Sequence, residues 1–189
     1  MKKLSTYLFL ILFSFSAPSF AGDIRDYQIE GMSVGDSLLD HFSEKEIKKF
    51  KKIPTHWRFN GITISSPNFK IYHQVNVLFY PRSYIISILD AKIYYQNDIN
   101  ECYKKMNEIV DEFSKTFSNL KKYKKSTETI SNKGINYKIT YVHFGGEVQG
   151  MDSYHSQIND GATVSCLDFT AESEFTDHLI VDIAKKWIR

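Results

Sequence analysis

The pattern that most constrains the fold is a two-residue alternation in the middle of the chain. Between residues 69 and 80, every second position carries an apolar side chain or a histidine: Phe69, Ile71, His73, Val75, Val77 and Phe79. Polar or tyrosine side chains occupy the positions between them, except at Leu78. Because successive side chains of a β-strand point to opposite faces, this period predicts a long strand with one buried face.

A second strand and a long helix are predicted next. Pro81-Arg82-Ser83 is typical of a turn, and residues 84–95 are rich in Ile and Tyr, which predicts a returning strand and a hairpin. Over residues 98–121 the period changes to three and four residues. The apolar stripe there comprises Ile99, Cys102, Met106, Ile109, Val110, Phe113, Phe117 and Leu120. This stripe predicts an amphipathic helix with Cys102 on its buried side.

Three further strands are predicted towards the C-terminus. Alternation predicts strands at 135–144 and 162–171, and the segment 177–185 is interpreted as a last strand. Helix is the alternative for that last segment, because apolar residues also recur there at a spacing of four: Phe175, Leu179, Ile183 and Trp187.

Two short helices are predicted before the first strand. Ser33-x-x-Asp36 and Ser43-x-x-Glu46 each place a hydroxyl three residues before a carboxylate, the pattern of a helix N-terminus. The second helix would end before Pro54. We therefore predict an α+β fold in two layers: an antiparallel sheet of about five strands, covered by one long helix and preceded by a short helical hairpin.

The first 21 residues have the features of a cleavable signal peptide. Two lysines precede an apolar stretch, Leu8 to Phe15, that is too short to span a bilayer. Ser19-Phe20-Ala21 supplies the small residues that signal peptidase requires, which predicts cleavage before Gly22. We expect a periplasmic or secreted protein that consists of one globular domain over residues 22–189 and has no membrane span.

Cleavage would also change the charge balance. The chain has 24 Lys and Arg residues against 22 Asp and Glu residues, and loss of Lys2 and Lys3 would leave 22 of each. A neutral domain has no global field to attract nucleic acid, so we expect no nucleic-acid partner. Two lysine clusters remain: Lys45, Lys48, Lys49, Lys51 and Lys52, then Lys121, Lys122, Lys124 and Lys125. Each is either a patch that binds an anion or a membrane surface, or simply a solvated helix face.

The two cysteines of the chain, Cys102 and Cys166, predict a disulfide. An exported chain meets an oxidising compartment, where two cysteines most often pair. The bridge would join the long helix to the sheet. No His or carboxylate stands at metal-ligand spacing around either cysteine, so we expect no metal site and no cofactor.

One short motif points to an enzyme. Gly35-Asp36-Ser37-Leu38, followed by Asp40, resembles the signature of the GDSL (SGNH) esterases and lipases. The resemblance implies Ser37 as the nucleophile, Asn159 as an oxyanion donor, and Asp177 and His178 as the rest of a triad.

The chain departs from that family in two ways. Asn159 lacks the family's preceding glycine, and Asp177 and His178 are adjacent instead of three apart. Adjacent residues of a strand point to opposite sides, so this carboxylate could not orient this imidazole. The family's doubly wound fold also alternates strands with several helices, which the pattern here does not predict. A serine esterase is therefore the alternative function.

Two segments resemble an uncharacterised group of small exported proteins of AT-rich marine bacteria. The first segment is Gly31-Met32-Ser33-Val34-Gly35-Asp36-Ser37-Leu38-Leu39-Asp40 with the predicted helical hairpin after it, and the second is the stretch from Asn97 to Val110. Together they cover about a quarter of the chain that follows the leader. No activity follows from this resemblance.

The loop between the predicted strands 135–144 and 162–171 is the candidate binding surface. It is long and glycine-bearing, and its polar and aromatic residues are Glu147, Asp152, Tyr154, His155 and Asp160. With no complete catalytic constellation or cofactor motif in the sequence, our leading hypothesis is a non-enzymatic exported module. It would bind a ligand, or an envelope or secreted protein, through this loop and the sheet face.

Overall fold

The computed structural model describes residues 23–55, 58–96, 98–132, 135–145, 161–169 and 177–184. Within these ranges the chain forms an eight-stranded antiparallel sheet in the order β1-β2-β3-β4-β8-β7-β6-β5. The strands are β1 (Lys51–Ile53), β2 (Asn60–Ile64), β3 (Gln74–Phe79), β4 (Ile86–Tyr94), β5 (Ser126–Asn132), β6 (Ile135–Gly145), β7 (Gly161–Phe169) and β8 (His178–Ala184). The α-helices are α1 (Glu44–Ile47) and α2 (Ile99–Thr116), and short 3₁₀ turns lie at Ile24–Asp26 and Leu38–Asp40.

The sheet consists of two four-stranded meanders joined through α2. Strands β1 to β4 pair in sequence order, and the chain then leaves the sheet through the helix. It re-enters at the far edge as β5 and returns inwards, so that β8 pairs antiparallel with β4 at the centre. Helix α2 can therefore pack across the middle of the sheet, against β7 and β8.

One face of the sheet holds the main apolar core beneath α2. Phe113 of the helix and Phe117 directly after it are buried, and the ring of Phe113 lies 5.2 Å from that of Phe117 and 5.6 Å from that of Phe144 on β6. Tyr27, in the segment before the sheet, meets the Phe113 ring edge-on at 4.6 Å. Rings in such edge-to-face contacts stabilise a core beyond the area that they bury.

The disulfide predicted from the cysteine count is present in this core. Cys102 on α2 and Cys166 on β7 are bonded, both are buried, and their Cα atoms are 6.0 Å apart. The bond closes a sequence separation of 64 residues and ties the first turns of the helix to the sheet. Among the helices of the described residues, none is both long and apolar enough to cross a bilayer.

The predicted fold class is wrong in its strand number and in its helical hairpin. The described sheet has eight strands instead of about five, and β1, β2 and β5 are the strands that the alternation did not predict. Two of them are too short for a periodic signal, and β5 has the sequence Ser-Thr-Glu-Thr-Ile-Ser-Asn, in which Ile130 is the single apolar residue. An edge strand pairs on one side and needs few buried side chains, so its pattern is weak.

One-turn elements replace the predicted helical hairpin, because the backbone of its first segment forms hydrogen bonds with the sheet. The Gly35 N–H donates to Ile86 O at 2.8 Å, and the Ile86 N–H donates to Asp36 O at 2.9 Å. Gly35 has φ of 100°, which a non-glycine residue rarely adopts. The Ser43–Glu46 capping box does form, but the helix that it begins is only Glu44–Ile47.

The predicted strand over 69–80 is shorter in the structure, and Glu30 is the reason. The Glu30 carboxylate accepts hydrogen bonds from the N–H groups of Lys70, Ile71 and Tyr72 at 2.8–3.0 Å, so this stretch turns instead of pairing. Within β3, residues 75–79 are all buried, so the side chains on both faces of this strand, polar Asn76 included, lie away from solvent. The last segment is confirmed as a strand, over His178–Ala184.

Candidate functional site

A groove runs between α2 and the segment that leads into β5. Its volume is about 670 Å³, and its lining residues are Asn107, Val110, Asp111, Lys122, Tyr123, Lys124, Lys125 and Val142. We call this surface the lysine groove. Val110 and Val142 are buried and form an apolar floor, while Asn107, Asp111 and the three lysines are exposed at the walls.

A bulge directs the lysines into this groove. Lys122 forms a β-bridge with Phe144, and Ser126 pairs with Tyr141. The incoming segment therefore takes four residue steps between these two pairs, whereas β6 takes three. The Tyr123 N–H donates to His143 O at 2.8 Å, which keeps this segment attached to the end of β6. An extra residue in one strand bends it and changes the direction of its side chains. Lys124 and Lys125 lie in that extra length.

Aromatic rings and a hydroxyl position the ammonium groups. Lys122 Nζ donates to Ser114 Oγ on α2 at 2.9 Å and lies 5.7 Å from the centre of the Phe144 ring. Lys125 Nζ lies 5.3 Å from the centre of the Tyr103 ring. Cation–π contacts of this kind hold a charge in place without neutralising it. Within the described part of the chain, no lysine of the groove forms an ion pair with a carboxylate.

The opposite face of the sheet carries a line of polar residues that we call the carboxyl row. Adjacent strands place these side chains in register: Thr63 on β2, Asn76 on β3, Asp90 on β4, Asp182 on β8, Thr163 on β7 and His143 on β6. Thr63 Oγ1 donates to Asn76 Oδ1 at 2.8 Å, and Asn76 Nδ2 donates to Asp90 Oδ2 at 3.3 Å. His143 Nδ1 lies 2.9 Å from Thr163 Oγ1.

Two carboxyl groups stand side by side at the centre of this row. Asp90 is buried, and its Cα partner across the β4–β8 pair is Asp182. Burial raises the pKa of Asp182 well above its ordinary value, the neighbouring Asp90 carboxylate raises it further, and Lys92 lowers it in part. Two like charges in direct cross-strand register repel each other, so this arrangement favours the protonated form of Asp182.

The residues of the implied esterase triad are not brought together. Ser37 forms a β-bridge with Ile85, whereas His178 pairs with Tyr94. Tyr94 is nine residues after Ile85 along the same extended segment. At a rise of 3.3 Å per residue this separates them by about 30 Å. Ser37 Oγ accepts a hydrogen bond from the Leu39 N–H at 3.3 Å and caps the 3₁₀ turn.

Asp177 and His178 have structural contacts of their own. Asp177 is buried, and its Oδ1 accepts the Phe169 N–H at 2.9 Å. The imidazole of His178 stacks on the Phe169 ring at 5.5 Å. Four residues after Ser37, His41 Nε2 lies 3.4 Å from Asp36 Oδ2, a pairing that the motif does not imply.

The predicted loop site lies outside the described residues. This applies to Glu147, Asp152, Tyr154, His155 and Asp160, and to Asn159 of the alternative triad. Within the described ranges, no group of three or more His, Cys, Asp or Glu side chains is arranged to hold a metal ion.

Comparison of the chain with protein-family models, with curated proteins and with solved structures finds no match. The candidate site is therefore defined by its geometry alone. The lysine cluster at 121–125 was the one sequence feature that pointed to the lysine groove. Nothing in the sequence indicated that α2 forms the other wall. The sequence contained no signal for the carboxyl row, because only strand register places Asp90 beside Asp182.

Proposed function

We propose that this protein is an exported binding module whose ligand occupies the lysine groove. The observation that carries the proposal is the groove itself: a cleft of about 670 Å³ is within the range of small-molecule sites. The leader-like first 21 residues and the buried disulfide support an oxidising, extracytoplasmic location.

The walls of the groove are held firmly, which favours binding. Helix α2 is bonded to β7 through Cys102, and the opposite wall is attached to β6 by the Tyr123 hydrogen bond. The hydrogen bond from Lys122 Nζ to Ser114 Oγ connects the two walls directly. A site whose walls are already in place loses little conformational entropy when a ligand enters.

The lining chemistry is that of a recognition site. The floor offers apolar contact through Val110 and Val142, while Asn107, Tyr123 and the lysines offer hydrogen-bond donors at the rim. An apolar surface with a few convergent polar groups is the usual composition of a ligand site.

Blocking the groove tests this function. Asn107 is exposed on the groove wall, so Asn107→Trp would fill the cleft without disturbing the core. Glu108→Trp, also exposed on α2 but not lining the groove, is the matched control. A thermal-shift screen of small molecules, with native mass spectrometry of protein recovered from its own cell envelope, would identify the ligand.

We expect that ligand to stabilise the wild-type protein and Glu108→Trp but not Asn107→Trp. At about 100 times the Kd, the stabilisation is about 2.7 kcal/mol, or about 5–10 °C in Tm for a domain of this size. A ligand that raises the Tm of all three proteins equally binds elsewhere and contradicts the proposal.

A further inference from the structure

The charge of the lysine groove identifies the chemistry of its ligand, an inference that rests on the proposed function. We propose that the groove binds a small organic molecule carrying at least two anionic groups, either carboxylates or phosphates. Three ammonium groups, those of Lys122, Lys124 and Lys125, line the cleft against one carboxylate, that of Asp111. The surplus of two positive charges matches a ligand with two negative ones.

The lysines are available to such a ligand because their existing contacts are uncharged. Lys122 contacts a serine hydroxyl and a phenylalanine ring, and Lys125 contacts a tyrosine ring. Elsewhere on the protein, exposed lysines do meet carboxylates: Lys48 lies 3.7 Å from Glu44, and Lys104 lies 3.6 Å from Glu101. The groove therefore concentrates positive charge, and Asp111 is the one carboxylate that its described lining supplies against it.

The kind of cation and the floor of the groove narrow the ligand further. Lysine ammonium groups are compact point charges with three rotatable N–H donors, which can donate to an anionic oxygen from many directions. Val110 and Val142 would contact the carbon skeleton between the anionic groups. A volume of about 670 Å³ accommodates a molecule of di- or tricarboxylate or sugar-phosphate size.

The test is a titration of the full exported chain, followed by NMR at the Tyr123, Lys124 and Val142 amides and by calorimetry. The probes are succinate and citrate for carboxylates, and glucose 6-phosphate and inorganic phosphate for phosphates. Acetate and glucose are the singly charged and neutral comparisons. Vesicles of phosphatidylglycerol present the same anionic oxygens on a lipid surface.

The variant Lys124→Gln removes one charge of the groove. Lys124 makes no ion pair or ring contact within the described residues, so the fold should be unaffected. Lys104→Gln on α2 removes the same charge outside the groove. We expect Lys124→Gln to weaken the binding of the polyanion about threefold to fivefold, and Lys122→Gln/Lys124→Gln to weaken it more than tenfold. Lys104→Gln should bind as the wild type does.

Preference for the carboxylates or for the phosphates assigns the anionic group, and either result supports the inference. Three results would overturn it: no probe binds at low salt (about 0.05 M), Lys104→Gln loses as much affinity as Lys124→Gln, or only the vesicles bind.

Two further results distinguish failure of the anion chemistry from failure of the binding function. A neutral ligand that Asn107→Trp excludes and that Lys124→Gln binds normally would leave the binding function standing and refute the anion chemistry. Polyanions that bind Asn107→Trp as tightly as the wild type would refute both.

Discussion

The two faces of the sheet are built from the same strands but differ in what they contribute. The face beneath α2 is apolar: Phe113 contacts both Phe117 and Phe144, and the disulfide is buried on the same face. The other face has the carboxyl row across its centre, where Asp90 and Asp182 stand in register. Burial of each large apolar side chain stabilises a fold by about 1.5–3 kcal/mol, whereas two carboxyl groups in cross-strand register oppose it.

Among the described residues, most of the buried apolar side chains belong to the helix face. In the described part of the chain, the second face carries a smaller apolar cluster, in which Ile139, Leu167 and Ile180 are buried and Ile130, Tyr137, Tyr141 and Phe169 pack against them. A sheet whose stability comes from one side can carry unfavourable groups on the other, and such departures from local consistency are characteristic of sites under a functional constraint. The two faces should therefore respond in opposite ways to mutation and to pH.

The largest effect is expected on the helix face, from removal of the disulfide. Cys102→Ser/Cys166→Ser should lower the free energy of unfolding by about 4 kcal/mol, because the unfolded chain regains the freedom of a loop of 64 residues. Urea unfolding followed by tryptophan fluorescence would measure the loss. The wild-type protein in a strong reductant is the control and should lose a similar amount.

The same pair reports on export. Intact mass spectrometry of protein recovered from the native envelope should show a chain that starts at Gly22 and lacks free thiols. Two free thiols in that protein would contradict the disulfide. A double-serine variant as stable as the wild type would contradict its role in stability.

An effect of opposite sign is expected on the carboxyl row. The pKa of Asp182 is raised in the folded protein, by burial and then by Asp90, so the folded state binds the proton more tightly than the unfolded state. The contribution of Asp182 to stability is then fully present below its pKa in the unfolded state, about 4. It is lost as the pH rises through its pKa in the folded state. Asp182→Asn keeps the shape and removes the charge, and it should stabilise the protein at neutral pH on the order of 1–3 kcal/mol.

Urea midpoints at about pH 3 and pH 7 would measure this difference, which should vanish at the lower pH. Asp168→Asn, on the other face of β7, is the matched control and should show no such gain. An Asp182→Asn protein that is less stable than the wild type at neutral pH would show that the ionised carboxylate stabilises the row.

The smallest effect is expected at Glu30, with the reverse pH dependence. Burial raises the pKa of Glu30, but hydrogen bonds from the backbone N–H groups of Tyr72, Lys70 and Ile71 outweigh it and lower the pKa overall. This contribution to stability is present above the unfolded pKa, about 4.3, and is lost as the pH falls through the folded value. Glu30→Gln should cost about 1 kcal/mol at neutral pH, since a neutral amide oxygen accepts more weakly and can take fewer of the three donors.

Thermal unfolding of Glu30→Gln against Glu112→Gln would isolate this contribution, since the Glu112 side chain is exposed and forms no ion pair or hydrogen bond within the described residues. The difference should narrow towards pH 3 as the wild-type carboxyl protonates. A constant difference across the whole pH range would mean that Glu30 acts through packing instead of through its charge.

Much of the central fold was predictable because periodicity reports burial. The helix stripe, the hairpin at Pro81-Arg82-Ser83 and the strand at 135–144 all correspond to elements of the structure, with shifted boundaries. Edge strands β1 and β5 were not predictable, because they bury few side chains. The strand that would have begun at Phe69 is shortened by a carboxylate 40 residues earlier in the chain, which no local pattern encodes.

The sequence alone determined the α2 stripe, the alternation of the inner strands and the presence of two cysteines able to pair. These follow from local spacing and from the number of residues of one type. Tertiary structure alone decided that Asp182 lies beside Asp90, that Lys124 lines a groove with α2, and that Ser37 and His178 lie far apart. The physical reason is that register and crossover connections place residues distant in sequence together, and they depend on the packing energy of the whole sheet.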